Sequence, residues 1–309
     1  MIAGTIMRAA GAGPMTSLLR RMRRLLAGTL LAATVAAPAL ADWRTDIGTF
    51  RIGLVSPSGE RALPGLELVR ETFSQTLRMP VEIFVAKDYP ALVDAQASGR
   101  IEYAVYSALA YAAAARLCEC VEPLAAPVGQ DGATGLRAVL LLRSGLPGGE
   151  VPEVAVAAVQ LSLAGPAAFL GKGPDVPKFR PRAVATAEEA EALFAAGQAD
   201  GMVGWLATDA AGDKDASGTV ARLDALGQAT TARTIAWRGP VLAFGPHAVR
   251  RSLDPQARKA LAAMLTGLAA TKPDVLEALS PRHPGGFRPV APIDYASASE
   301  ALQALLEAE

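Results

Sequence analysis

Between Phe50 and Arg116, short runs rich in β-branched and aromatic residues alternate with helix-length segments bounded by turn and capping residues, a pattern few folds accommodate. Residues 50–55 (FRIGLV) have strand composition and are broken by Ser56-Pro57-Ser58-Gly59 before a helix over 63–77. A second strand is expected at 81–85. Asp88-Tyr89-Pro90 then opens a helix through Ala97, closed by Gly99, and residues 101–106 read as a third strand. Ser107 is placed to cap the next helix, 108–116. This βαβαβ order predicts an α/β lobe with a mostly parallel sheet and ligands at the carboxyl ends of its strands.

A second α/β unit follows. The near-continuous apolar run 137–142 predicts a buried strand leaving the first lobe, with a turn at 144–149. Beyond it a strand is expected at 154–159, a helix at 166–170, a loop at 171–181 and a strand at 182–185. Thr186-Ala187-Glu188-Glu189 has the spacing of a capping box and opens a helix to Ala196, ended by Gly197. Strands at 201–205 and 234–237 flank a polar loop at 212–218; 241–244 carries the chain back, and helices at 254–270 and 295–307 close it. The expected architecture is α/β with two lobes, 42–140 plus 242–309 and 141–241, joined by two strand-like crossovers around a cleft that closes by hinge bending. At 309 residues, 51% apolar, the chain has material for two cores.

The remaining features restrict function. Arg20-Arg21-Met22-Arg23-Arg24 precedes a 17-residue apolar stretch ending Ala39-Leu40-Ala41, the layout of a cleavable signal peptide, whether translation begins at Met1 or Met15. Gly28, Thr29, Thr34 and Pro38 interrupt the stretch, which falls short of the ~20 residues needed to span a bilayer. Cleavage is expected after Ala41, with a soluble product in the periplasm. Its loss leaves 25 basic against 30 acidic side chains, without the basic footprint of a nucleic-acid binder. Cys118 and Cys120 are too few for a disulfide framework and too close for an unstrained bridge in extended chain; an oxidising compartment leaves a bridge open, and a surface metal or redox role is the alternative. His247 and His283 sit beside prolines and read as loop histidines. No G-x-S-x-G, H-E-x-x-H or P-loop occurs, so no catalytic residues, metal or cofactor are expected.

Tyr89-Pro90-Ala91-Leu92, then Gly99-Arg100-Ile101-Glu102, then Ala108-Leu109-Ala110-Tyr111, together with Gly197-Gln198-Ala199-Asp200 and Gly286-Phe287-Arg288-Pro289-Val290, resemble in order and spacing the phosphate/phosphite/phosphonate substrate-binding proteins of ABC importers. The resemblance implies a type II periplasmic binding protein fold, a small oxyanion ligand in the interlobe cleft, an ABC permease in the inner membrane as partner, and a monomer. Helix N-termini facing the cleft supply a physical reason, since they offer unpaired N–H groups to an anion. The chain departs from the family's S-x-T-S-G anion loop at Gln160-Leu161-Ser162-Leu163-Ala164-Gly165, replaces the family's histidine by Ala187, and has Ser107-Ala108 where the family has Gly-Pro. These departures imply weaker phosphonate binding or a different ligand.

The candidate ligand-binding residues are Tyr89, a hydroxyl donor at a helix start; Tyr106 and Ser107, where a strand meets a helix; Ser162; Trp205, a wall favouring an apolar or flat ligand part; and Ser56 and Ser58 after the first strand. Tyr111 reads as core, Asp200 as a structural cap and Arg238 as a candidate countercharge. A periplasmic ligand-sensing or adaptor protein is the alternative function.

Overall fold

The computed structural model describes residues 42–56, 65–147, 149–157, 176–209, 215–225 and 233–307. The chain divides into two units, Met1–Thr45 and Asp46–Glu309, and the fold is that of the second. The expected signal peptide, Ser58, Ser162 and the helix at 166–170 lie outside the described residues.

The chain opens with β1 (Phe50–Val55), α1 (Leu66–Leu77), β2 (Val81–Ala86), α2 (Tyr89–Ala97), β3 (Tyr103–Val105), α3 (Ala108–Cys118) and β4 (Val121–Pro127). Next come β5 (Gly135–Arg143), β6 (Glu153–Ala157), β7 (Arg180–Val184), α4 (Ala187–Ala195), β8 (Gly201–Thr208), β9 (Asp215–Gly218), α5 (Thr219–Ala225), β10 (Arg233–Arg238) and β11 (Leu242–Ala243). The return comprises β12 (His247–Arg250), α6 (Pro255–Thr271), α7 (Pro273–Leu279), β13 (Phe287–Pro289), a 3-10 turn (Pro292–Tyr295) and α8 (Ala296–Glu307).

Local chemistry sets the helix starts. The Asp88 carboxylate accepts from the Ala91 N–H at 2.8 Å, and the Ser107 hydroxyl from the Ala110 N–H at 3.1 Å. Thr186 accepts from the Glu189 N–H at 3.1 Å, while the Glu189 carboxylate takes the Ala185 N–H at 2.8 Å, so the box closes one residue earlier than its sequence pattern implies. Gly197, at φ 73, ends α4 in the left-handed region where an L side chain is strained.

Two sheets result. The first runs β13-β4-β12-β3-β1-β2, the second β10-β5-β8-β6-β7, with β11 beside β5 and β9 beside β8. β1 is parallel to β2 and β3, but β12 inserts antiparallel between β3 and β4, so the first sheet is mixed rather than mostly parallel. The returning chain enters from the other lobe's side and must run against β3. Strand β5 does not leave the first lobe. It lies in the second sheet along its length, pairing from Gly135↔Thr208 to Leu142↔Gly201, and its apolar run is continuous because Leu141 packs on one face and Leu140 on the other. Leu242 and Ala243 pair with Leu136 and Gly135, so the chain passes between the sheets at 128–134 and 244–246, tied by the Phe244 N–H donating to the Thr134 carbonyl at 3.0 Å.

His247 is no loop histidine: it lies in β12, 1% exposed, its Nδ1 sharing a hydrogen bond with the Tyr103 hydroxyl, which satisfies the polar atom that made a central strand improbable on sequence grounds. The polar segment expected as a loop at 212–218 contains β9, held by its ladder with β8. Cys118 and Cys120 are joined in a disulfide at the end of α3.

Candidate functional site

The carboxyl end of β3, the start of α3 and the returning segments around β11 and α7 enclose a cavity of about 350 Å³. Its position follows from the alternation of strand and helix: β3 ends at Val105, Ser107 caps α3, and Ala108 and Leu109, the first residues of that helix, line the cavity. Tyr89 reaches the same wall from the first turn of α2, held there by the Asp88 cap. Arg282 and His283 arrive from the turn after α7, and Phe244 from the crossover.

Burial raises the Tyr89 phenol above its usual range, opposed by the nearby Arg282 guanidinium and by a hydrogen bond with the Ser107 side chain. Arg282 therefore acts on the group that touches Ser107. It also faces the other lobe: the Glu188 carboxyl at the start of α4 is held down by its own backbone N–H and the Thr186 hydroxyl, with Arg222 and Arg282 adding to the effect. The His283 Nδ1 and the Ser280 hydroxyl are hydrogen-bonded at 3.2 Å, and the imidazole packs 4.1 Å, centroid to centroid, from the Phe244 ring. Burial, with Arg282 close by, pushes His283 down to about 4, so it is neutral at pH 7. His247 also borders the cavity, with Phe287 edge-on at 4.6 Å, and burial pushes it down to about 3.

A pH dependence follows from these histidines. Below about pH 6.5 the unfolded chain takes up protons that His247 in the folded chain refuses, so stability falls as the pH drops from about 6.5 toward 3. His283 acts in the same direction. Urea midpoints at pH 7, 6 and 5 check this, and stability that rises toward pH 5 would contradict two buried neutral imidazoles.

Three of the residues singled out from sequence, Tyr89, Tyr106 and Ser107, meet at the cavity. Tyr106 brings its ring, since its hydroxyl donates to Gln96 Oε1 at 2.8 Å and the Gln96 amide donates in turn to the Ala248 carbonyl at 3.3 Å. Ser56 is buried after β1, its N–H donating to the Ala86 carbonyl, and does not line this cavity. Trp205 lies within β8 rather than at its end; it packs beside the cavity with Leu136 and Phe244 under the Arg222 guanidinium, 4.8 Å from its ring centroid. Asp200 is structural, its carboxylate accepting from the Glu153 N–H at 2.8 Å. Arg238 ends β10 opposite Val139. Sequence reasoning singled out neither Arg282 nor Phe244; His283 is the loop histidine expected, and it lines the cavity as well, so the usable signal was a cation and an imidazole in a Pro-flanked turn just before the Gly286-Phe287 motif. Among the described residues no cluster of three or more His, Cys, Asp or Glu could hold a metal ion, and no helix is long and apolar enough to cross a membrane.

The sequence profile described as "ABC transporter, phosphonate, periplasmic substrate-binding protein" matches residues 58–295. Among curated proteins, none matches by sequence. Among solved structures, XAC2383 of Xanthomonas citri bound to ATP superposes with a TM-score of 0.57 at 16% identity, over 84% of this chain and 98% of that one. The PhnD1 protein of Prochlorococcus marinus in complex with methylphosphonate gives 0.55 at 13% identity, over 84% and 99%. A binding-protein component of a phosphonate ABC transporter from Pseudomonas aeruginosa gives 0.51 at 17% identity, over 84% and 95%. These likenesses show the two-lobe fold of periplasmic binding proteins, and the profile spans most of the chain. The chain thus belongs to the periplasmic substrate-binding proteins of phosphonate ABC transporters.

Proposed function

We propose that the cavity beside Ser107 is the ligand site of this transport receptor and that its ligand carries a small phosphorus oxyanion, a phosphonate, phosphite or phosphate-like group. Proteins of this family bind small ligands and work with an ABC permease. The observation that carries the reading is the convergence on one cavity of the Ser107-capped start of α3, the Tyr89 hydroxyl and the Arg282 guanidinium, which are donors and positive charge, with no carboxylate among the described residues that line it. ATP and methylphosphonate, held by two of the structural neighbours, share this oxyanion chemistry. The receptor binds without converting its ligand, works as a monomer, is processed after Ala41, and closes by bending at 128–134 and 244–246, between a lobe built on the first sheet and one built on the second. Its ligand then passes to the permease.

A thermal-shift screen of phosphate, phosphite, alkylphosphonates, sulfonates and carboxylates tests the reading. A ligand at 100 times its dissociation constant stabilises the protein by about 2.7 kcal/mol, and a flat response to every phosphorus oxyanion rejects the ligand class. Tyr89→Phe is expected to weaken binding about tenfold, the loss of one hydrogen bond to a charged group, without unfolding the protein. Ser107→Ala weakens it too, at about 1 kcal/mol of stability because the cap is lost. Unchanged affinity in both variants would mean that the site lies elsewhere.

A further inference from the structure

We propose that the cavity selects phosphonates carrying an aromatic substituent, with the oxyanion head against Ser107, Tyr89 and Arg282 and the ring against the apolar wall that Phe244 and His283 form with Leu136 and Leu279. This inference rests on the reading of the cavity as an oxyanion site and adds the identity of what the oxyanion is attached to.

Size is the first argument. The cavity measures about 350 Å³, at the low end of the range of about 300–1,000 Å³ for organic-ligand sites, so before the lobes close it has room beyond a bare tetrahedral oxyanion. Beyond the donor cluster the lining is aliphatic at Leu136 and Leu279 and aromatic at Phe244 and His283, a surface from which ordered water gains little and which an apolar group covers with gain.

The rings supply the second argument. The Phe244 and His283 rings pack 4.1 Å apart at 47°, so the wall already has the tilted aromatic geometry that a third ring extends by edge or offset contact. His283 spends its Nδ1 on the Ser280 hydroxyl and carries no charge at neutral pH, which makes it a flat wall rather than a second cation. Arg282, its neighbour in sequence, is left as the charge that fixes the head. Head and ring sites are thus adjacent, as a phosphorus–carbon bond to a ring requires.

Calorimetric titration of the purified protein with phenylphosphonate, cyclohexylphosphonate, methylphosphonate and inorganic phosphate tests the proposal. Phenylphosphonate is expected to bind at least about tenfold tighter than methylphosphonate or phosphate and several-fold tighter than its saturated analogue. His283→Leu, at a half-buried position, narrows the phenyl-to-methyl ratio; a ratio unmoved by this variant and by Phe244→Leu counts against the proposed wall. Equal affinities across the series overturn the aromatic preference and leave the oxyanion reading intact. Silence toward all four overturns that reading and this inference with it.

Discussion

Replacing Gly245 by alanine is expected to destabilise the protein by about 3 kcal/mol or more and to remove ligand binding, although the added group is one methyl. A Cβ at this position would lie 1.8 Å from the Tyr106 carbonyl oxygen and 2.7 Å from the Ser107 Cα, both backbone atoms of the β3–α3 junction. Neither side yields easily. The Tyr106 N–H donates to the Pro246 carbonyl at 3.0 Å, and on the other flank the Tyr295 hydroxyl donates to the Phe244 carbonyl at 3.0 Å. Relief of the clash must therefore separate β12 from β3 or push Ser107 and the start of α3 into the cavity, so stability and affinity fall together. Gly267→Ala is the control. That glycine lies in α6 with nothing within 4 Å of the place an alanine methyl would take, and the exchange is expected to stabilise by up to about 1 kcal/mol through helix propensity. Urea denaturation of both variants, with titration of whichever phosphonate binds the parent, measures the contrast. A Gly245→Ala protein within about 1 kcal/mol of the parent and still binding would show that the junction is loose.

How far the fold could be read from the chain depended on whether each element carried its own signal. Strands β1 and β2 and helices α2 and α3 announce themselves through local chemistry: β-branched runs, the Asp88 and Ser107 caps, and Gly99 after the second helix. Their boundaries fall within a few residues of expectation. Strands β4 and β12 escaped because prolines interrupt them or stand next to them, at Pro123, Pro127 and Pro246, and because a histidine is a poor advertisement for the centre of a sheet. What makes His247 acceptable there is the Tyr103 hydroxyl, a partner supplied by tertiary structure. The short helices α5 and α7 carry too few turns for a hydrophobic stripe.

The same division holds at the site. Tyr89, Tyr106 and Ser107 were legible because a rule about strand ends in α/β sheets locates them from their own neighbourhood. Phe244, Arg282 and His283 reach the cavity only because the chain returns from the second lobe and folds α7 against α1 and α6, which no local pattern encodes. For Trp205 the strand end was misjudged: β8 runs on to Thr208, and Trp205 and Leu136 both pack against the cluster that contains Phe244.

Arg282→Glu is expected to abolish binding of any phosphonate, with a loss of more than about 100-fold, and Arg282→Met to cost about 10- to 100-fold. Among the described residues that line the cavity, Arg282 is the only lysine or arginine, and both lining histidines are neutral at pH 7. The anion's charge is therefore met by one guanidinium and by dipoles. A hydrogen bond to a charged group is worth about 1.5–3 kcal/mol, which sets the scale for the methionine variant. Reversing the sign adds repulsion in a partly desolvated cleft, where two unit charges about 4 Å apart interact by about 4 kcal/mol. Glutamate would also stand toward Glu188 across the cleft and oppose closure of the lobes. Neither variant is expected to lower stability by more than about 0.5 kcal/mol, because the Arg282 side chain is exposed in a turn and the core does not depend on it. Titrations at two ionic strengths separate charge from shape: parental affinity falls as salt rises, and in Arg282→Met that slope flattens. Binding in Arg282→Met that matches the parent in strength and salt dependence would mean that the oxyanion is gripped by backbone amides alone and that this arginine serves only the contact between the lobes.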